Sequence, residues 1–199
     1  NIDGFTGNEK LIPYEKRSYE DKWIISKLNS LIKFVEDKLD NYDPTKSSRQ
    51  INKFINDDLS NWYIRLNRKR FWKGDLTNDK LMAYQTLLEC LYKISIISSP
   101  FIPFYSEKLF NNLNAYNISN SESVHLLEFP KVDKERISEV LERKMTYAQS
   151  ISSLVHSIRK KEKIRVRQPL SKISIPMKSL DMENEIKDVE KIILSEINV

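Results

Sequence analysis

A chain of 199 residues with 40% hydrophobic and 31% charged side chains, three glycines and seven prolines is long enough for a substantial core and too apolar to be disordered. Its net charge of +5 favours an anionic partner, and its single cysteine, Cys90, excludes an internal disulfide and a cysteine metal site. No stretch approaches the ~18 uninterrupted apolar residues of a membrane span, and residues 1–17 lack a signal peptide's basic start and apolar centre, so a soluble, cytoplasmic protein without a membrane partner is expected.

Residues 1–17 contain Gly4, Gly7 and Pro13 but no sustained period, and read as a connecting segment entering from something upstream. Ser18 with Asp21 resembles a capping box, and Ile24, Leu28, Leu31, Ile32, Val35 and Leu39 recur at helical spacing, which predicts a first helix to about Asp40. Asn41-Tyr42-Asp43-Pro44 stops it. A second helix is predicted from Ile51 through Leu66, followed by a turn at Lys73-Gly74-Asp75. Leu81, Tyr84, Leu87, Leu88, Leu91 and Ile94 mark a third helix that becomes apolar all round at Ile94 to Ile97, so that end should be central. Pro100 and Pro103 break it, Glu107 to Leu113 gives a short fourth helix, and a polar loop runs to Ser123.

From about Asp133 to Lys163 the period sustains the longest helix, expected to cross the whole bundle. After Lys163 the period becomes two, at Ile164 and Val166 and again at Ile173 and Ile175. With a helix over Met182 to Leu194 and a last strand from Glu196 to Val199, this predicts a β-β-α-β fragment that stops in mid-strand, with a further C-terminal piece beyond it. The expected fold is mainly α: an antiparallel bundle of about five helices over residues 18–163, preceded by the connecting segment 1–17 and followed by the start of a small α/β unit over 164–199.

Basic residues cluster at Arg65 to Lys73 and Arg159 to Arg167, and acidic ones between Asp181 and Glu190. In the first cluster Phe54, Ile55, Leu59, Trp62 and Leu66 form an apolar stripe, while Asn61, Arg65, Arg68 and Trp72 fall on a neighbouring one. Guanidinium groups beside an exposed indole suit a phosphate backbone with unstacked bases. The competing reading is a solvated basic face whose Trp72 closes the edge of the core. In the second cluster Ser152, His156, Arg159 and Lys163 form another polar stripe, and the two basic patches could face one ligand. His125, flanked by Val124 and Leu126, is expected to be hydrogen-bonded in an extended segment. Neither His125 nor His156 has a carboxylate or cysteine at ligand or triad spacing, and glycines at positions 4, 7 and 74 cannot form a phosphate loop.

The run Asp57-Asp58-Leu59-Ser60-Asn61-Trp62-Tyr63, leading through arginines to Arg70-Phe71-Trp72, resembles the anticodon-binding domain of class I isoleucyl-tRNA synthetases of the eukaryotic-like type. The resemblance continues in Asp21-Lys22-Trp23-Ile24, Ala83-Tyr84-Gln85-Thr86-Leu87, Ser99-Pro100-Phe101-Ile102-Pro103-Phe104, Ser123-Val124-His125-Leu126 and Ile164-Arg165-Val166-Arg167-Gln168-Pro169-Leu170. It implies a fragment of isoleucine–tRNA ligase that holds the anticodon stem and loop of tRNA(Ile), most simply as a monomer. Ligation, with ATP and Mg, would occur in a catalytic domain that lies, with the editing domain, elsewhere in the same chain.

No His-x-Gly-His or Lys-Met-Ser-Lys-Ser signature occurs here, so no catalytic residue, metal ligand or cofactor is assigned to these residues. On the resemblance, Arg65, Arg68 and Arg70 are expected to contact phosphates, and Trp72 to stack on a base or dock on the catalytic core. Asn61, His156, Arg159, Lys163, Arg165, Arg167 and Gln168 complete the expected tRNA-binding set, with Gln168 the candidate for reading a base edge. The equivalent domain of a valyl- or leucyl-tRNA synthetase, and a helical protein-interaction scaffold, are the alternatives.

Overall fold

A computed structural model describes residues 4–72 and 74–199. Among these residues the secondary structure is helical throughout, and no strand is formed. The α-helices are α1 (Tyr19–Asp40), α2 (Pro44–Lys53), α3 (Arg68–Trp72), α4 (Asn78–Ser98), α5 (Pro103–Asn114), α6 (Glu139–Lys161), α7 (Leu180–Asp188) and α8 (Glu190–Ile197), with a π-helical segment, Phe54–Ile64, between α2 and α3. The chain divides into two compact units, Asn1–Ile137 and Ser138–Val199. That division lies 26 residues before the expected boundary at 163/164, and it groups the long helix α6 with the C-terminal segment rather than with the bundle.

In the N-terminal unit the helix starts are written locally. Ser18 accepts from the Asp21 N–H while Asp21 accepts from the Ser18 N–H, completing the capping box. Asp43 caps α2 ahead of Pro44, Thr77 caps α4, and Pro103 opens α5. The expected second and fourth helices are therefore longer than periodicity alone indicated. Trp23, Ile24, Leu28, Ile32 and Val35 of α1 are buried against α2, the π-helical segment and α4. Ile94, Ile96 and Ile97 are buried as expected, and Ile96 joins Phe110 and Val124 in a satellite core.

Residues 4–17 lie along α4. Phe5 stacks on Tyr84 with ring centroids 5.2 Å apart, the Ile12 N–H donates to Gln85 Oε1 at 2.9 Å, and Gln85 Nε2 donates to Lys10 O at 3.0 Å. Gly7 is required there: its φ is +84°, and a Cβ would sit 2.2 Å from the Tyr116 carbonyl oxygen.

The π-helical segment changes which side chains face inward. Its i→i+5 bonding places residues four and five apart on one side, so Phe54, Asp58, Leu59, Trp62 and Tyr63 are all buried. The expected α-period placed Phe54, Ile55, Leu59, Trp62 and Leu66 inward; Ile55 and Leu66 are only half-buried, and the period missed Tyr63. His125 also differs from expectation: it sits exposed in a 3-10 turn, Val124–Leu126, which Glu107 anchors through the Ser123 hydroxyl and the Val124 N–H.

In the C-terminal unit Met145, Ala148 and Ile151 of α6, with Ile186, Val189, Ile193 and Ile197, supply the buried apolar side chains. The predicted helix over Met182 to Leu194 is two helices, α7 and α8, broken at Val189. The predicted strands do not form. Residues 164–168 make a turn closed by the Gln168 N–H on Arg165 O at 3.0 Å, and Glu196 and Ile197 complete α8 before Asn198 turns left-handed at φ +55°. A strand needs a partner ladder, and among the described residues the segment after the turn makes one such link, from the Leu170 N–H to Asn198 O at 3.2 Å.

One buried carboxylate ties the N-terminal unit together. Asp21, 0% exposed, accepts from Tyr63 Oη at 2.6 Å and from both terminal nitrogens of Arg70 at 2.9 Å each. Burial opposes ionisation of Asp21, but the hydrogen bonds from Arg70 and Tyr63 outweigh it and hold the carboxyl below its ordinary value. Burial, then the Asp21 charge, pushes the Tyr63 hydroxyl well up, so it stays a donor.

Asp21→Asn should cost about 1–3 kcal/mol near neutral pH, since a neutral amide replaces the carboxylate that accepts from Arg70 and Tyr63 and turns an N–H group toward those donors, while Asp79 still balances part of the Arg70 charge. Because the folded carboxyl titrates below the unfolded value of ~3.9, the wild type keeps this contribution above about pH 4 and loses it as pH falls through the folded value. Urea melts over a pH series should therefore show the gap between wild type and Asp21→Asn narrowing on acidification; a gap that stays constant would mean that the charge is irrelevant.

Candidate nucleic-acid interface

The basic run after the π-helical segment separates into an inner and an outer face. Trp62, 4% exposed, lies in the core with Tyr63, whereas Trp72 is 72% exposed. Asn67 turns the chain between them: its Nδ2 donates to Tyr63 O at 2.9 Å, and its Oδ1 accepts from Arg70 at 2.8 Å. The five-residue helix α3 then projects Arg68, Lys69 and Trp72 outward and Arg70 inward. Asn61 and Arg65 are exposed as well. The Arg65 guanidinium lies 5.5 Å from the Trp62 ring centroid, and that of Arg68 lies 3.8 Å from the Trp72 centroid.

Arg70 is not the phosphate contact that was expected. Besides gripping Asp21 it donates to Asp79 O at 2.8 Å, and its Nε lies 2.9 Å from the Asp79 carboxylate, so its fork is spent on joining α3 to the starts of α1 and α4. Lys73, inside the expected basic cluster, lies outside the described residues. The next cation, Lys80, is buried and donates to Gly74 O at 3.0 Å.

In the C-terminal unit Arg159 is likewise turned inward. Only 1% exposed, it donates to the carbonyls of Arg165 (3.1 Å), Gln168 (2.8 Å), Ile197 (2.7 Å) and Asn198 (3.2 Å). It cannot also bind a phosphate, because four main-chain oxygens already surround it. His156 Nε2 lies 3.5 Å from the Glu196 carboxylate, and its Nδ1 is buried, which directs the ring at its own unit. Lys163, at φ +57°, and the side chains of Arg165, Arg167 and Gln168 are exposed around the turn that Arg159 organises.

The exposed candidates thus form two sets in different compact units: Asn61, Arg65, Arg68 and Trp72 in one, and Lys163, Arg165, Arg167 and Gln168 in the other. The residues that position the first set, Asp21 and Tyr63, stood in the runs that carry the family resemblance, but nothing in their spacing showed that they meet each other or Arg70. Guanidinium groups and an indole can bind anions and flat rings. Among the described residues no group of three or more His, Cys, Asp or Glu could hold a metal ion. Among them also, no helix is long and apolar enough to cross a membrane.

Two contrasts follow from these placements. Trp62→Ala should cost about 3–5 kcal/mol, whereas Trp72→Ala should stay within ~0.5 kcal/mol of wild type; thermal melts giving equal losses would refute the two faces. Arg159→Ala should lower the stability of the C-terminal unit and raise amide exchange at Arg165 to Gln168, where the turn loses its anchor, as mass-spectrometric exchange can measure.

The sequence profile of the family described as the anticodon-binding domain of tRNA ligase matches residues 21–174. The whole chain also aligns with isoleucine–tRNA ligases: 51% identical over 200 residues to that of Cytophaga hutchinsonii, 46% over 199 residues to that of Porphyromonas gingivalis, and 42% over 200 residues to that of Dehalococcoides mccartyi. It spans 18%, 17% and 20% of those proteins respectively, so it corresponds to about a fifth of their length. A helical frame presenting arginines and an indole, matched over most of its length by that profile, belongs to the anticodon-binding domain family of tRNA ligases.

Proposed function

We propose that the chain is the tRNA-binding part of an isoleucine–tRNA ligase and holds the anticodon stem and loop of tRNA(Ile). The observation that carries this reading is the surface of Arg65, Arg68, Lys69 and Trp72, exposed on a member of the anticodon-binding family and held by a buried ionic cluster behind it. Arginines suit the phosphates of the stem, and exposed flat groups suit loop bases that no longer stack in a helix. Lys163, Arg165, Arg167 and Gln168 offer a second exposed set; of these Gln168, with a donor and an acceptor on one flat amide, is suited to a base edge.

The whole ligase would join isoleucine to tRNA with ATP and Mg in its catalytic part, working as a cytoplasmic monomer with an editing domain in the same chain. In the whole protein the segment from Ile164 to Ile175 would find partner strands and become part of a small α/β unit.

Electrophoretic mobility shift of the 199-residue chain with tRNA(Ile), valine tRNA and an unrelated tRNA tests the reading. Tightest binding to tRNA(Ile) supports it, and no binding to any tRNA refutes it. Arg65→Ala and Arg68→Ala should weaken all tRNAs about equally and each lower the log–log salt slope by ~0.7–0.9, as loss of one phosphate contact requires. Gln168→Ala should change the preference among anticodon stem-loops with the slope intact. The reverse pattern would exchange the roles of the two exposed sets.

A further inference from the structure

A five-residue helix does not hold its shape alone, yet α3 is fixed from behind by two neighbouring side chains. Arg70 is locked on Asp21, and Phe71 meets the Tyr63 and Tyr84 rings edge-on, with centroids 6.4 and 5.7 Å away. Arg68 and Trp72, four residues apart, therefore share the opposite face of a helix that cannot easily rotate. The guanidinium at 3.8 Å covers one face of the indole, and because Trp72 is still 72% exposed, the other face is open to solvent.

An aromatic ring backed by a cation and open on one side fits a flat, apolar, electron-rich surface. A nucleobase has such a surface only when it is unpaired and unstacked, since the faces of a base inside a duplex are covered by its neighbours. The exposed Lys69, on the same five-residue helix, adds positive charge to that of Arg68, which favours a polyanion over an apolar protein patch.

Resting on the RNA-binding reading above, we propose that Arg68 and Trp72 form a stacking platform for one unpaired nucleobase, so that this surface senses whether RNA is single-stranded rather than which base it carries. Arg68 braces the ring and neutralises a flanking phosphate, Trp72 supplies the stacking face, and Arg70 acts only as a positioning residue.

The test uses the 199-residue chain and a short RNA with 2-aminopurine at its centre, either as a single strand or annealed to its complement, with tRNA binding measured in parallel. The wild type should quench 2-aminopurine fluorescence in the single strand and much less in the duplex. Trp72→Ala should abolish the quench and weaken the single strand by about 5- to 100-fold while changing the duplex by less than about twofold. Trp72→Phe should restore part of both, with circular dichroism confirming the fold.

If Trp72→Ala keeps the quench, or weakens single strand and duplex alike, the platform is wrong while tRNA binding stands. If Trp72→Ala leaves every RNA unaffected and instead loses association with the remaining part of an isoleucine–tRNA ligase, Trp72 is a protein-docking residue and the proposal fails. Wild-type chain that binds neither RNA nor tRNA would overturn the function and the platform together.

Discussion

The N-terminal unit depends on the ionised carboxylate of Asp21. That one group belongs to the capping box that starts α1, receives the hydroxyl of Tyr63 from the end of the π-helical segment, and takes the Arg70 fork from α3, while Arg70 reaches on to Asp79 at the start of α4. Four elements that are separate in sequence meet at it. Burying a carboxylate and a guanidinium is costly in itself, and the arrangement is tolerable because each oxygen of Asp21 is occupied by a donor. Such a cluster contributes less to net stability than to definition: it admits one orientation of α3, and hence one orientation of the side chains on its outer face.

Arginine does two opposite jobs in this protein. Arg70 and Arg159 are interior fasteners, one for side-chain and main-chain acceptors of the N-terminal unit, the other for four carbonyls that no helix or sheet satisfies. Arg65, Arg68, Arg165 and Arg167 are exposed. The net charge of +5 counts both kinds equally, so the charge a ligand would meet is poorer than composition suggests, and its placement says more than its total.

The fasteners and the exposed groups are also linked causally. Arg159 draws the carbonyls of Arg165 and Gln168 together, and so sets the turn on which Arg165, Arg167 and Gln168 display their side chains. Arg70 does the same for Arg68 and Trp72 through a helix too short to orient them itself. In a member of the anticodon-binding family this is a division between frame and surface. The frame resists deformation, and the surface keeps polar groups pre-oriented, which limits the entropy a ligand must offset on binding.

The sequence by itself determined the helical class, the capped start of α1 and the inward position of Trp62, although periodicity alone put the starts of α2, α5 and α6 several residues away from where those helices begin. Those features are local: Ser18, Asp43, Thr77, Ser138 and Ser179 each cap a helix with their own side chains, and an apolar stripe selects its buried face within a few turns. The sequence motifs likewise sufficed for the family, since residue order is what a family shares.

Only the tertiary structure decided which arginines remain exposed. Arg70 and Arg68 are indistinguishable by type and neighbourhood, but the acceptor that claims Arg70 is Asp21, 49 residues away, and Arg159 is claimed in part by Ile197, 38 residues away. The π-helical register that buries Tyr63, the break at Val189, and the absence of strands from the period-two segment among the described residues have the same origin. Alternation marks a chain as able to pair, but pairing needs hydrogen-bond partners from elsewhere, and local pattern carries no record of them.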